Sequence, residues 1–252
     1  FSHCRNAHLI NASGNTIRRT DRSASISSVT EKSVVNIFHF LKAARVYQWA
    51  KNLLLFVPLI TSHNFLNLKL FVINILGFIA FSLCASATYI INDLFDLESD
   101  RKHPRKKNRP FASGELSIST GILMSGLLGL SGLLFSFFLS LNFSFYLAVY
   151  ILLTCFYSFF LKKHVLVDVL TLAGLYTIRI FAGAHLIEVK VSFWLFAFSV
   201  FLFFGLALVK RCNELQLFQK AGKLNLNGRD YCSEDLQTLR SMGITSSFVS
   251  VV

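Results

Sequence analysis

The sequence predicts an all-α protein, a polytopic transmembrane helical bundle, and three observations carry that prediction. Hydrophobic residues make up 54% of the 252 positions, charged residues only 15%, and 27 positions are Phe. Apolar runs near the roughly 20 residues that a bilayer-crossing helix needs recur along the chain. The loops between them are short and hold most of the Lys and Arg residues. The net charge of +12 is therefore read as basic membrane loops, and no nucleic-acid partner is expected. Five cysteines (Cys4, Cys84, Cys155, Cys212 and Cys232) lie far apart without a CxxC pair, so neither a zinc site nor a disulfide framework is expected.

Residues 1–33 are polar, carry the Ser/Thr-rich run SASISSVTEKS and contain no signal-peptide-length apolar region. They read as a polar linker or disordered tail. Residues 34–252 read as the membrane domain, cut short at its C-terminus, and the chain as a fragment at both ends. Val34–Gln48 mixes apolar and basic residues at helical spacing, which predicts an interfacial helix leading into the bilayer. The first span, Trp49–Phe65, contains Pro58 and should be kinked or short. The second is Leu68–Ile91, the third Ile118–Leu141 and the fourth Phe143–Leu161, the last two joined so tightly that they must be antiparallel. The fifth is Val165–Ile187 and the sixth Val191–Val209. A polar loop should then run to about Asp235, where a seventh span begins. Phe-rich runs such as FSFF and FLFF suit lipid-facing or helix-packing surfaces.

The basic residues fall before the first span, after the second, at Lys162-Lys163 and from Lys210 to Arg240, whereas the alternate connections hold only Lys69 and Lys190. All the basic loops thus share one side, expected to be the cytoplasmic side of a bacterial inner membrane. On that side lies NDLFDLESDRKHPRKKNRPFASG, residues 92–114. If the helix carrying Asn92 continues to Asp100, the step of about 100° per residue puts Asp93, Asp96 and Asp100 within an arc of about 60°. Glu98 falls off that face. Like charges so spaced repel unless a cation sits between them. Mg2+ fits, because it prefers oxygen ligands and commonly shares carboxylates with substrate phosphates. A calcium loop does not, since no DxDxDG-type pattern is present. Basic residues such as Arg101 and Arg109 would then take phosphate oxygens, although a positive-inside loop needs such charges without any site.

NDLFDLESD followed by NRPFASG resembles the NDxxDxxxD motif and RP continuation of the UbiA superfamily of membrane prenyltransferases. YQWAKNLLLFVPL and YSFFLKK-x4-DVLTLAGLYTIRIFAGA are similar to its polyprenyl-phosphate phosphoribosyltransferase branch, some of whose relatives sit behind a haloacid-dehalogenase-like domain. The resemblance implies a nine-helix fold, of which about seven helices are present. It implies Asp93 and Asp96 as the catalytic, Mg2+-binding pair, with Asn92 and Asp100 supporting them and Arg109, Lys51 and Asn52 binding substrate. The implied substrates are an isoprenoid lipid phosphate or diphosphate and a diphosphate-bearing donor. A second aspartate-rich motif is only partly matched, by Asp230, Glu234 and Asp235.

Other candidates carry two readings each. Arg179 lies inside the fifth span, where a charge is costly, and either serves the site or snorkels to the far interface. Asp168 at the head of that span either binds substrate or partners the helix dipole. Lys162, Lys210 and Arg211 end helices on the basic side, as phosphate ligands or as dipole partners. The resemblance favours phosphoribosyl transfer from phosphoribosyl diphosphate to a polyprenyl phosphate. The rivals are prenyl transfer from a polyprenyl diphosphate to an aromatic or other acceptor, and a non-enzymatic transporter or structural protein with a cation-binding loop.

Overall fold

A computed structural model describes residues 6–10, 20, 25–30, 36–220, 230–232 and 234–251. The chain divides into two compact units, Phe1–Phe40 and Leu41–Val252. In the first, strands β1 (Asn6–Ile10) and β2 (Ser25–Thr30) pair in parallel within the segment expected to be a linker or disordered tail. Ile26 supplies a β-branched side chain of the kind that favours such pairing. Helix α1 (Ile37–Ala43) follows.

The second unit is a helical bundle. The predicted interfacial helix does not run to Gln48: α1 stops at Ala43, and Arg45 takes a left-handed conformation, φ 49° and ψ 47°. This turn is tied to the second span, where the Ser86 hydroxyl donates to Ala44 O at 2.7 Å and accepts from Trp49 Nε1 at 2.9 Å. From Val46 to Phe56 the chain is a 3-10 helix, which passes into α2 (Val57–Thr61) with Pro58 in its first turn. A 3-10 run of 11 residues is unusually long. Together the two pieces reach roughly 30 Å, enough for a crossing and in keeping with the expected irregular first span.

Among the described residues five helices are long and apolar enough to cross a membrane: α3 (Leu68–Phe95), α5 (Ile118–Leu139), α6 (Leu141–Phe159), α7 (Val167–Leu186) and α8, Phe193–Lys220. Short α4 (Leu97–Lys102) continues from α3, and α9 (Asp235–Val251) closes the chain. The side chains of Asn67, Ser117 and Ser140 accept backbone N–H groups at the starts of α3, α5 and α6. Helix α8 corrects the expected boundary, because it continues 11 residues past Val209 to Lys220. Hydropathy falls at Lys210, but Leu208, Cys212 and Leu215 keep the helical period and are buried.

Burial separates inner from outer helices. Half of the most apolar window of α3 and 61% of that of α7 are buried, against 17–28% for α5, α6 and α8. The main core joins Leu55, Phe81, Cys84, Ala85, Phe143, Leu147, Tyr150 and Ala182. Outward Phe side chains, such as Phe137 and Phe138, suit contact with lipid. Close backbone approach fixes α7 against the 3-10 segment, since a Cβ on Gly183 would stand 2.1 Å from Leu55 O. The two inner helices carry Asp93, Asp168 and Arg179, all buried.

Candidate active site

At about 1.5 Å per residue, the 28 residues of α3 span roughly 42 Å, more than a bilayer's hydrocarbon core. Its last turn therefore carries Asn92 and Asp93 to the basic end of the bundle. Regular helix lapses at Asp96 (φ −84°, ψ 7°), though Asp96 N–H still bonds Asn92 O at 2.9 Å and Asp100 N–H bonds Asp96 O at 2.8 Å. This irregularity divides the three aspartates that an ideal helix would align. Asp93 and Asp100 are buried and meet at one guanidinium: Arg109 Nη1 donates to Asp93 Oδ1 at 2.9 Å and to Asp100 Oδ2 at 2.5 Å. Arg45 also donates to Asp93 Oδ1. Asp96 is 41% exposed and faces Lys162, whose Nζ stands 3.5 Å from Oδ1. Glu98, which helix phase put off the aspartate face, is exposed.

Two cavities flank these carboxylates. One, of about 300 Å³, is lined by Asp93 and by Lys42, Arg45, Arg105, Lys106 and Arg109, with Tyr47 at its wall. The other, of about 250 Å³, is bounded by Asn92, Asp96, Ser158, Lys162 and Lys163. A larger cavity of about 630 Å³ lies between α8 and α9, but no carboxylate lines it.

The donor set suits magnesium. Asp93, Asp96, Asp100 and Asn92 offer only hard oxygen ligands, and Asp100 Oδ1 is buried without a hydrogen-bond partner, Lys106 Nζ standing off at 3.8 Å. Among the described residues no three His, Cys, Asp or Glu side chains converge as a metal cluster. Substrate phosphates and water would therefore supply the remaining ligands, as magnesium sites commonly require.

Beneath the carboxylates lies a cation without a carboxylate. Arg179 is 4% exposed, so it does not snorkel to the far interface. Its Nε donates to Asn52 Oδ1 at 3.1 Å and its Nη2 to Tyr150 OH at 3.1 Å, and Nη1 bonds Leu175 O. The guanidinium lies 4.8–5.6 Å from the ring centroids of Tyr150, Tyr176 and Phe81. Asn52 in turn donates to Ser82 Oγ at 2.9 Å, so this half of the Lys51-Asn52 pair holds the 3-10 segment in the core. Half-buried Lys51 lies within electrostatic reach of Lys210, Arg179 and Arg45.

Asp168 and Arg211 occupy a different place from the aspartates of α3. Both side chains are fully buried and joined at 2.5 Å. Arg211 also pairs with Glu214 and donates to Tyr157 OH at 3.3 Å, while Tyr231 OH donates to Asp168 and accepts from Leu166 N–H at 3.1 Å. Burial, reinforced by the Asp168 carboxylate, pushes the Tyr231 phenol above its ordinary pKa and keeps it a donor. This closed network fastens the segment at 230–232 to α7 and α8. Nearby, Asp230 stands 3.7 Å from His164, Asp235 accepts from Cys232 N–H at 2.9 Å and Glu234 is exposed, so these three form no second carboxylate cluster. Arg101 and Lys210 are exposed.

Arg45, Lys42, Tyr150, Tyr157, Glu214 and Tyr231 are among the site and network residues that sequence reasoning missed. Arg45 had one available signal, a basic residue interrupting an otherwise helical pattern directly ahead of a span.

The UbiA prenyltransferase family model matches residues 53–226, more than half of the chain. The chain is 38% identical over 213 residues to protein y4nM of Sinorhizobium fredii, covering 84% of this chain and 41% of that protein. It therefore spans under half the length of that relative. It is 32% identical over 216 residues to the decaprenyl-phosphate phosphoribosyltransferase of Mycolicibacterium smegmatis, covering 83% of this chain and 67% of that enzyme. Its fold is like that of an Archaeoglobus fulgidus UbiA homolog bound to GPP and Mg2+, with a TM-score of 0.65, 19% identity, and coverage of 84% and 76%. The family match, these relatives and a bundle with acidic residues at its basic end lead to one conclusion: the chain belongs to the UbiA prenyltransferase family of integral membrane transferases.

Proposed function

We propose that the chain transfers phosphoribose from phosphoribosyl diphosphate to a polyprenyl phosphate, at an active site on the cytoplasmic face of a bacterial inner membrane. The observation that carries the reading is the arrangement of Asp93, Asp100, Arg45 and Arg109 beside a cavity lined by five cations. The named activity of the mycobacterial relative favours this donor and acceptor. An oxygen of the lipid phosphate attacks C1 of the donor sugar, and the bond from C1 to the diphosphate breaks. Asp93 and Asp100 would hold magnesium directly, and Asp96, at the second cavity, through substrate phosphate or water; the ion would supply positive charge against the departing diphosphate. Arg109 and Arg45 take phosphate oxygens, with Arg101 and Lys162 as further cations at the mouth. Asn92 orients the acidic segment. Lys51, Arg179 and Lys210 favour the approach of the anionic lipid head, and Asn52, Asp168 and Arg211 hold the elements that carry these cations.

One observation favours a second reading. The fold neighbour holds GPP and Mg2+, and prenyl transfer from a polyprenyl diphosphate would use the same aspartates. Incubating the protein in lipid with each donor and acceptor pair, and weighing the products by mass spectrometry, separates the two. The phosphoribosyl reading expects a polyprenyl-phosphoribose product from phosphoribosyl diphosphate. No product from that donor, with product from a polyprenyl diphosphate and an aromatic acceptor, would overturn it.

A further inference from the structure

The inference rests on reading Asp93 and Asp100 as ligands for a magnesium diphosphate, and it concerns what occupies those carboxylates beforehand. The two buried carboxylates already have two guanidiniums: Arg45 and Arg109 both donate to Asp93 Oδ1, and Arg109 also donates to Asp100 Oδ2 at 2.5 Å. Lys106 adds a third cation, 3.8 Å from Asp100 Oδ1. A divalent cation arriving alone meets a pair of carboxylates with no net negative charge left to offer. To bind, it must displace arginine, and displaced arginine beside four other cations needs an anion.

We propose that Arg45 is an exchangeable internal counter-cation of this site, so that divalent metal and diphosphate bind with positive cooperativity. The metal takes Asp93 from Arg45, and the freed guanidinium turns into the adjacent cavity of about 300 Å³ to bind phosphate oxygens. Three further features support the exchange. Arg45 comes from a separate element, 48 residues before Asp93, so it can leave without unwinding α3. Its left-handed backbone, unfavourable for a non-glycine residue, is held by the Ala44–Ser86 bond and aims the side chain between carboxylate and cavity. The Tyr89 ring, 5.2 Å from the guanidinium, offers it a second, uncharged contact besides Asp93. Reciprocity then requires that diphosphate tighten the metal as much as the metal tightens diphosphate.

Mn2+ is the probe, its free concentration read by electron paramagnetic resonance with the whole chain in nanodiscs of zwitterionic lipid. For the unaltered protein, inorganic diphosphate should tighten Mn2+ at least tenfold after correction for the Mn2+-diphosphate complex in solution. Arg45→Gln should bind Mn2+ alone at least tenfold more tightly than the unaltered protein and lose most of the tightening by diphosphate. Arg45→Lys, which keeps the charge, should resemble the unaltered protein with metal alone. If the unaltered protein binds Mn2+ equally well with and without diphosphate, the counter-cation idea is overturned, whether or not any variant folds. It is likewise overturned if Arg45→Gln folds but gains no affinity for metal alone, and either result leaves the diphosphate-site reading standing. Failure of the unaltered protein to bind Mn2+ even with diphosphate would overturn both.

Discussion

Two clusters in this bundle pair arginine with buried aspartate, and they are built to opposite ends. Around Asp168 the charges are closed off: Asp168 and Arg211 are fully buried, and Glu214, Tyr157 and Tyr231 complete their hydrogen bonds. Around Asp93 the cluster is open on two sides to cavities, one oxygen of Asp100 has no partner, and cations outnumber carboxylates. A satisfied, sealed ion pair holds helices together. An unsatisfied one beside open space is poised for a ligand. The difference lies in solvent access and saturation more than in the ion pair itself, since both clusters pair arginine with aspartate.

The sealed cluster should show the largest effect. Asp168→Asn removes a fully buried counter-charge of Arg211, whose other carboxylate partner among the described residues is Glu214, itself 32% exposed. A loss of about 3–5 kcal/mol of stability is expected, read as a lowered melting temperature in detergent. If Asp168→Asn melts normally yet is inactive, Asp168 belongs to the reaction and the contrast between the clusters breaks.

The open cluster should respond in activity and not in stability. Asp93→Asn and Asp96→Asn should each cost on the order of a hundredfold in transfer rate, as removal of a charge-stabilising group does, with melting temperature little changed. Full turnover in both variants would remove the aspartates from the site and favour the transporter or structural reading.

Smaller changes sharpen the comparison. Tyr231→Phe deletes one donor to Asp168 and should destabilise by about 1–3 kcal/mol, because it removes a hydrogen bond to a buried carboxylate. With the phenol's pKa raised, the unaltered protein keeps that bond above the ordinary tyrosine pKa of about 10. The difference in stability between the two proteins should therefore persist on raising the pH to that value. Glu98→Gln, an exposed change between Asp96 and Asp100, should alter neither rate nor melting.

The spans and the site were legible in the sequence to different degrees. Apolar runs of bilayer length located α3 and α5 through α8, and Pro58 marked an irregular first span, because a membrane demands continuous apolar surface from each crossing segment by itself. The acidic stretch was legible for a similar local reason: Asp93, Asp96 and Asp100 recur at helical spacing within eight residues, and Glu98 falls out of that phase. The extension of α8 to Lys220 was missed because its polar end is held by packing on α7 and α9, which hydropathy does not register.

The sequence by itself determined the class, the order of the five long apolar helices, and which loop carries the aspartates, since these follow from local composition and period. Only the tertiary structure decided what each charge meets. It gave Asp93 to Arg45 across 48 positions, Arg179 to Asn52 across 127 and Asp168 to Arg211 across 43. It also separated Asp96 from the other two aspartates. The strength of a charge interaction depends on distance and local dielectric, and both are set by how helices far apart in sequence pack together.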